Sequence, residues 1–450
     1  MNIVYNVSDK PKFSKCLVFA FQQVLAIMTA TLAVPAIINN ICGVNMNQAS
    51  ALFGAGVGTL IYLVLTKFKS PVFLGSSFAF IGSMCSAFAG ATTVSLGYLG
   101  LIIGAVLAGI VYVVIAVLVK KFGSKWINSL MPPIVIGPIV AIIGLSLAQN
   151  AVQDLTNGLN GSTYVAILCG IVTLFTTIIS STYSKRVGKL IPFIIGIFAG
   201  YVCACLFYLA GNIFGNDALK VIDFSSLKNC FSNVGISSFL SVPKFTFIES
   251  KGVFSELSLS YFVTLVTSYV PVAFVVFAEH IADHKNLSSI IGKDLLDEPG
   301  LHRTLLGDGI GSMFGAFFGG CPNTTYGESI GCVAITGNAS SITILYASIM
   351  CLIISFFTPF VAFLQTIPTC VMGGVCIALY GFIATSGLKI MQSVDLNDNR
   401  NMFVSSIILI TGVGGLVFNI GAVEIRTVAC ALILGIVSNK ILSNKGNSNG

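Results

Sequence analysis

The chain of 450 residues is 55% hydrophobic and only 9% charged, and its mean hydropathy is +0.95. Soluble domains carry about 25% charged residues, so this composition excludes a soluble globular protein and indicates an integral membrane protein. The net charge of +7 requires no nucleic-acid partner, because the basic residues lie in short segments between apolar ones. The 13 cysteines form no CxxC motif and no cluster with histidine, so we interpret them as small apolar residues.

Charge-free stretches long enough to cross a bilayer, about 20 residues each, recur along the chain. Residues 16–66 and 71–119 each hold two spans, separated by a turn at 39–47 and by small residues at 90–95. A polar loop at 212–256 divides the later spans. These are predicted in chain order at 131–147, 163–181, 190–209, 257–281, 304–318, a short span 10 around 322–331, 342–364, 370–386, 402–418 and 423–441. The total is fourteen spans.

The basic residues support this count. With the N-terminus in the cytoplasm, most of the 23 Lys and Arg residues fall in cytoplasmic segments, as the positive-inside rule requires. Several others lie in the outer loop at 212–256, and long loops follow that rule weakly. We therefore predict a multi-pass protein of the cell membrane, with cytoplasmic tails at 1–15 and 443–450.

Fourteen spans divide into two sets of seven, and a duplicated half with an odd number of spans is inverted in the membrane. Transporters with inverted repeats bind substrate near the midplane, between discontinuous helices. The corresponding spans 3 and 10 both contain proline, small polar residues and glycine, as PVFLGSSFAFIGS at 71–83 and PNTTYGESIG at 322–331. We therefore predict a broken helix in each of these two spans.

Glu328 lies at the centre of GGCPNTTYGESIGCVAIT, residues 319–336, in one of the most apolar parts of the chain. No Lys or Arg occurs between Arg303 and Lys389. An ionisable group at membrane depth costs about 2.5–3.5 kcal/mol on insertion scales, so it indicates a functional site. We interpret Glu328 as a carboxylate that a broken helix presents to a ligand, the alternative being a structural hydrogen bond in a kinked helix.

Glu279 ends the apolar run YFVTLVTSYVPVAFVVFAEH, and His280 follows it directly. Asp283 comes four residues after Glu279, which places both acids on one helical face. The spacing leaves two interpretations open. Glu279 is either a substrate acceptor with a proton relay through His280 and Asp283, or only the end of span 8 near the cytoplasmic loop.

The stretch from Gly75 to Phe78, which includes Ser77, could present backbone N–H groups at an interrupted helix, where they suit a polar ligand. Packing of small residues between spans explains the same pattern. The sequence contains no nucleotide-binding loop, no HExxH motif and no GxSxG motif with a triad. We therefore predict neither an ATP-driven pump nor an enzyme, and no cofactor.

Six stretches together carry a specific resemblance to a known family: FLGSSFAFIGS, MPPIVIGPIVAIIGLSLA, AEHIADHKNL, DEPGLHRTLLGDGIGSMFG, GGCPNTTYGESIG and VMGGVCIALYGFIATSGLKI. They are similar to those of the nucleobase–cation symporters, also called the nucleobase–ascorbate transporter family, which includes bacterial uracil permeases. The resemblance covers nearly the whole chain. PNTTYGE and PGLHR are the most specific of these motifs.

The resemblance implies an all-α integral membrane fold of 14 spans in two inverted seven-span repeats, with short strands in broken spans 3 and 10. A core domain of spans 1–4 (16–119) and 8–11 (257–366) would move against a gate domain of spans 5–7 (120–211) and 12–14 (367–442). Dimers are usual in the family, so a homodimer in the lipid bilayer is expected.

The resemblance also implies a substrate site. The family's substrate glutamates match Glu279 and Glu328, and its backbone contacts match Phe78 and Gly327, with Tyr326 adjacent. The carboxylates can accept the two ring N–H groups of uracil, and backbone amides can donate to its carbonyl groups. Purine-specific relatives commonly carry Gln at the position of Glu328, so the glutamate in this chain favours a pyrimidine.

Two positions depart from the family pattern. Ser329 stands where the family usually has Asn, and Asp283 stands where well-known uracil permeases have His. We expect a proton-coupled uracil importer with alternating access, in which Glu279, His280, Asp283 and Glu328 carry the coupling, with Na⁺ coupling left open. The alternatives are a xanthine or uric acid permease of the same family, or an anion transporter or channel of the same architecture, which two acids in the site disfavour.

Overall fold

The computed structural model describes residues 3–123, 132–159, 161–185, 188, 191–232, 234–420, 423–425 and 427–445. Residue 131, at the predicted start of span 5, and the ends of both predicted tails, at 1–2 and 446–450, lie outside this part of the chain.

Helices dominate the described residues. The first half contains α1 (Phe13–Cys42), α2 (Gln48–Leu65), β1 (Leu74–Ser76), α3 (Ile81–Ala89), α4 (Val94–Phe122), α5 (Pro133–Ser146), α6 (Ala148–Thr156), α7 (Thr163–Tyr183), α8 (Pro192–Phe214), α9 (Ser225–Cys230) and α10 (Thr246–Glu249). The second half contains α11 (Leu259–Ile291), α12 (Leu301–Gly319), β2 (Asn323–Thr325), α13 (Gly327–Thr336), α14 (Ser341–Ser355), α15 (Thr358–Gln365), α16 (Thr369–Met391), α17 (Asn399–Val413), β3 (Phe418–Ile420), β4 (Val423–Ile425) and α18 (Thr427–Lys445).

Within the described residues, eight helical stretches are long and apolar enough to cross a membrane. They are α1, α2, α4, α5 continued by α6, α7, α8, α11 and α16. Shorter apolar helices lie at Phe78–Ala89, Ser341–Ser355 and Cys430–Leu442. Large apolar side chains are exposed along these helices, as expected where lipid replaces water. The prediction of a largely helical, multi-pass membrane protein is confirmed.

The helices pack in two groups. In the first group, α12 lies along α2 and α4, α14 lies along α1 and α2, and α11 packs against α3 and α4. This group also holds α13, which contacts α1 and α11, and the strands β1 and β2, which pack against α2 and α12. In the second group, α16 packs against α5, α6 and α7, α7 lies along α8, and α17 packs against α5 and α18. The two groups meet where α11 contacts α5, β4 and α18.

Glycines allow α2 and α12 to approach closely. A Cβ atom added to Gly54 would lie 2.4 Å from the carbonyl oxygen of Gly315, and one added to Gly58 would lie 2.7 Å from that of Gly311. Small residues commonly line helix contacts in membranes, because lipid offers no hydrophobic driving force and close packing must replace it. The strands β1 and β2 pack against this helix pair, β1 against α2 and β2 against α12.

The two broken helices predicted in spans 3 and 10 are confirmed, and each contains a short strand. β1 and β2 pair in antiparallel fashion, with Leu74 opposite Thr325 and Ser76 opposite Asn323. A 3₁₀ turn at Phe78–Phe80 and α3 follow β1, and α13 follows β2. The pairing satisfies backbone groups that an interrupted helix would otherwise leave without partners in the membrane.

Three predicted spans differ from the structure. Span 8 was expected to end at 281, but α11 continues to Ile291. Span 11, predicted as one helix at 342–364, is divided into α14 and α15, because Pro359 in the first turn of α15 cannot continue a helix. At this break Ser241 N–H donates to Phe356 O and Thr358 N–H donates to Phe239 O, both at 3.0 Å. Span 14, predicted to begin at 423, begins as β4, which pairs with β3, and its helix starts at Thr427.

Candidate functional site

A cavity of about 520 Å³ lies between the two helix groups, beside the paired strands. The first group contributes three carboxylates to its lining, together with Phe78, Tyr326 and Gly327: Glu279, Asp283 and Glu328. The second group contributes a largely apolar wall that also includes Ser181 and Ser386: Ile143, Phe193, Leu379, Phe382 and Ile383. No Lys, Arg or His is among the described residues that line the cavity.

Glu328 lies in the first turn of α13, for which Tyr326 is the N-cap residue. The first helical hydrogen bond runs from Ile330 N–H to Tyr326 O, at 3.2 Å. The preceding N–H groups, including that of Gly327, therefore lie at a helix start, where backbone donors lack helical acceptors and the dipole is positive. A Cβ atom added to Gly327 would meet nothing within 4 Å, so this backbone is open to a ligand.

Glu279 and Asp283 project into the same cavity from successive turns of α11. This helix extends twelve residues beyond Glu279, to Ile291, so Glu279 lies inside the helix and not at its end. Asp283 Oδ2 accepts a hydrogen bond from the Thr325 hydroxyl, with 2.7 Å between the oxygen atoms. Thr325 was absent from the sequence-based site, since only the pairing of β2 brings it to α11.

Tyr326 lines the cavity, but its hydroxyl is already bonded. The hydroxyl donates to Ser76 O at 2.7 Å, and the ring lies so close to Gly75 that an added Cβ atom would be 2.4 Å from it. Tyr326 therefore braces the strand pair. Phe78 also lines the cavity, and its ring meets Tyr380 edge to face, with 6.4 Å between centroids.

Ser77 and His280 lie outside the cavity lining. Ser77 is buried, and its N–H donates to Pro322 O at 2.9 Å. His280 is also buried, on the side of α11 that faces α12, where Nδ1 lies 2.7 Å from Asp308 Oδ2 and Nε2 lies 3.0 Å from the Thr304 hydroxyl. The structure thus brings together Glu279, Asp283, Glu328, Phe78, Gly327 and Tyr326, and separates Ser77 and His280 from them.

A second buried network adjoins His280. The rings of His280 and His284 stack with 4.1 Å between centroids, and His284 Nε2 lies 2.7 Å from the Tyr62 hydroxyl. His284 Nδ1 lies 2.8 Å from His280 O, so Nδ1 is the donor and Nε2 accepts when the ring is neutral. The site prediction omitted Asp308, although an acid between two glycines in an apolar span was a usable signal.

Ser329, a departure from the family pattern, makes a specific contact. Its hydroxyl accepts a hydrogen bond from Phe73 N–H at 3.1 Å, and its carbonyl oxygen accepts one from Gln23 Nε2 at 3.3 Å. The serine therefore links α13 to the residue before β1 and to α1. This link holds the first turn of α13, and thus Glu328, against the strand pair.

Comparisons with known proteins identify the family of this chain. The family model described as "Permease family" (Xan_ur_permease) matches residues 14–420. The chain belongs to this family of nucleobase transporters. Within the family, the uracil permease of Bacillus caldolyticus is 35% identical over 446 residues, covering 98% of this chain and 95% of the relative. The uracil permease of Bacillus subtilis (strain 168) is 36% identical over 445 residues, covering 97% and 94%, and that of Escherichia coli (strain K12) is 34% identical over 437 residues, covering 96% and 92%.

Solved structures show the same fold in more distant proteins. The transmembrane domain of the cyanobacterium bicarbonate transporter BicA aligns with a TM-score of 0.61 at 14% identity, covering 96% of this chain and all of that one. The murine anion transporter Slc26a9 aligns with a TM-score of 0.63 at 12% identity, covering 97% of this chain and 70% of that one. At these identities the likeness concerns the fold alone.

Family members are named permeases, so the chain is a transporter and not an enzyme.

Proposed function

We propose that this permease imports uracil by proton symport. The observation that carries the proposal is the placement of Glu328, at the helix start of α13, in one cavity with Glu279 and without a basic residue among the described lining. The curated relatives at about one-third identity over nearly the whole chain are uracil permeases, which supports uracil as the substrate.

The chemistry of the cavity suits uracil. The ring presents two N–H donors and two carbonyl acceptors, and it is flat and uncharged. Glu279 and Glu328 would accept the ring N–H groups, while the N–H groups near Gly327 and Phe78 would donate to the carbonyls. A site that pairs ring N–H groups rejects analogues that lack them, because its buried acceptors are then left without partners.

Alternating access would use the two helix groups as a core and a gate. The core would comprise 16–119 and 257–366, and the gate 120–211 and 367–442, as fourteen spans in two inverted repeats with both termini in the cytoplasm. The pairing of β1 with β2, one strand from each half, supports the inverted repeat. The cavity reaches Ser181 and Ile390, near the predicted cytoplasmic ends of α7 and α16, which supports an inward-facing state. The permease would act as a homodimer.

Proton coupling would act through the carboxylates of the cavity. Protonation of Glu279 and Asp283 from the outer side would favour uracil binding. Release of the proton to the inside would weaken uracil binding at Glu328. His280 would act at a distance, since its ring faces Asp308 rather than the cavity. The coupling ion is H⁺ in this proposal, with Na⁺ as the tested alternative.

The test is uptake of radiolabelled uracil into proteoliposomes, with and without an inward proton gradient and with a Na⁺ gradient in its place. Glu328→Ala should abolish accumulation, whereas Glu249→Ala, a change in the outer loop far from the cavity, should leave it intact. Uptake that only equilibrates, or that Glu328→Ala does not alter, would contradict the proposal. Uptake of xanthine by a protein that does not take up uracil would identify a purine permease.

An anion transporter is the second candidate, because BicA and Slc26a9 share the fold. Such a carrier should offer positive charge to its ligand, yet the cavity presents three carboxylates, Glu279, Asp283 and Glu328, and the described lining holds no basic side chain. Bicarbonate uptake that a uracil excess fails to inhibit would favour this candidate.

A further inference from the structure

One hydrogen bond joins the two acidic parts of the cavity. Thr325, which donates to Asp283 at 2.7 Å, is buried and is the last residue of β2. Glu328 follows three residues later, in the first turn of α13. The bond therefore connects α11, which carries Asp283, to the broken helix that carries Glu328.

Backbone contacts fix the position of Thr325. It lies opposite Leu74 in the strand pair, and the next residue, Tyr326, donates its N–H to Phe73 O at 3.2 Å. Asn323, at the other end of β2, donates through Nδ2 to Gly54 O at 3.1 Å. Because α13 begins two residues after Thr325, a displacement at the start of α13 would alter the direction of the Thr325 hydroxyl, whereas Asp283 is held by the continuous helix α11.

Among the described residues, the charged groups that act most strongly on Asp283 are acidic: Glu279 on the same helix, Glu328 on α13 and Asp308 on α12. No basic side chain is among the described cavity lining. Like charges disfavour ionisation of a carboxyl group, whereas a hydroxyl that donates to the carboxylate favours the ionised form. The Thr325 hydroxyl thus opposes the effect of its acidic neighbours.

We propose that Thr325 is the positioning residue that couples proton binding at Asp283 to uracil binding at Glu328. When uracil binds Glu328 it shifts α13, β2 moves with α13, and the length of the hydrogen bond from Thr325 to Asp283 changes. By linkage, an effect of uracil on protonation of Asp283 equals the effect of that proton on uracil binding. This inference rests on the proposed function and adds the contact that connects its two halves.

Three variants test the role. Thr325→Val keeps the β-branched shape that suits a strand but removes the hydroxyl, and Thr325→Ser keeps a hydroxyl. Thr264→Val is the matched control, since Thr264 lies on α11 outside the cavity lining and its hydroxyl donates to Ser260 O of the same helix. Each variant is measured by uracil counterflow, which needs no proton gradient, and by gradient-driven accumulation across a range of pH.

Thr325→Val should retain counterflow while its accumulation falls about tenfold, and the pH of half-maximal uptake should rise by about one unit, because a hydrogen bond to a charged group contributes at least that much. Thr325→Ser and Thr264→Val should match the wild type in both assays. Should Thr325→Val fail to reach the membrane, Thr325→Ala is measured in its place with the same expectation.

Wild-type accumulation and an unchanged pH profile in Thr325→Val would overturn the inference. Loss of counterflow together with accumulation would also overturn it, because the hydroxyl would then act on uracil binding itself. If the wild type shows no proton-driven accumulation, the proposed function fails and this inference fails with it. If the wild type shows proton-driven accumulation and Thr325→Val matches it, the proposed function stands and only the coupling role of Thr325 is rejected.

Discussion

Replacing Gly315 with alanine tests whether the close contact of α12 with Asn323 holds β2 in place. A Cβ atom on Gly315 would lie 2.3 Å from Asn323 Nδ2 and 2.7 Å from its Oδ1, whereas ordinary contacts begin near 3.4 Å. The amide of Asn323 would therefore have to move by about 1 Å, the difference between 3.4 and 2.3 Å. Such a shift breaks its hydrogen bond to Gly54 O and displaces β2.

The expected loss of stability follows from two effects. Overpacking of a tight contact costs about 1–3 kcal/mol, and a buried amide left without its partner costs about 1–3 kcal/mol. Alanine recovers up to about 1 kcal/mol in helix propensity, so we expect a net loss of about 2–4 kcal/mol for Gly315→Ala. The variant should show a lower Tm in detergent and weaker uracil uptake, because β2 carries Thr325 and leads into Glu328.

Gly381→Ala is the matched control. Gly381 lies within α16, and a Cβ atom there would meet nothing within 4 Å, so the same substitution should be neutral or raise the Tm. A Gly315→Ala protein with the wild-type Tm and the wild-type uptake rate would refute the reasoning. A fall of Tm in Gly381→Ala as large as that in Gly315→Ala would refute it too, since the effect would then not arise from the contact.

Two further changes probe individual contacts. Tyr326→Phe leaves Ser76 O without its donor, so we expect a loss of about 1 kcal/mol, seen as a lower Tm with an unchanged KM for uracil; a raised KM at constant Tm would instead indicate substrate contact. Outside the spans, hydrogen bonds from Lys293 and Lys69 lower the pKa of Glu298 from 4.5 to about 2. Because this pKa is depressed in the folded state, the stabilisation is present above about pH 4.5 and is lost as pH falls toward 2. Glu298→Gln should therefore lower the Tm slightly at pH 7, by less as the pH falls below 4.5 and by less in high salt; a deficit that is constant with pH would contradict this.

Sequence reasoning located the centre of the site because its signals are local. Prolines, glycines and small polar residues at 71–83 and 322–331 are unfavourable in a continuous helix, so their presence in apolar sequence predicted the breaks. Glu328 and Glu279 were identified because an acid is costly in such surroundings. Asp283 followed from helical spacing, four residues after Glu279.

The contacts that complete the site depend on tertiary packing and had no local signal. His280 was grouped with Glu279 because the two are adjacent in sequence, yet neighbouring residues of a helix point in different directions. Its partner Asp308 lies 28 residues away on α12, and Thr325 reaches Asp283 across 42 residues. Only the strand register between β1 and β2 determines which hydroxyl faces the carboxylate.

The distribution of polar contacts indicates how the cavity could change shape without losing its binding groups. Glu328, Asp283 and Thr325, together with both strands, belong to one helix group, and their hydrogen bonds close within it. The opposite wall meets them with apolar side chains such as Phe193 and Phe382, whose rings pack against each other at 6.1 Å. If the two groups slide past each other, as the proposed function requires, they would exchange mainly dispersion contacts at the cavity, which are weak individually and carry no directional requirement. A polar site built on one group and faced by an apolar wall on the other can thus stay assembled while its exposure changes.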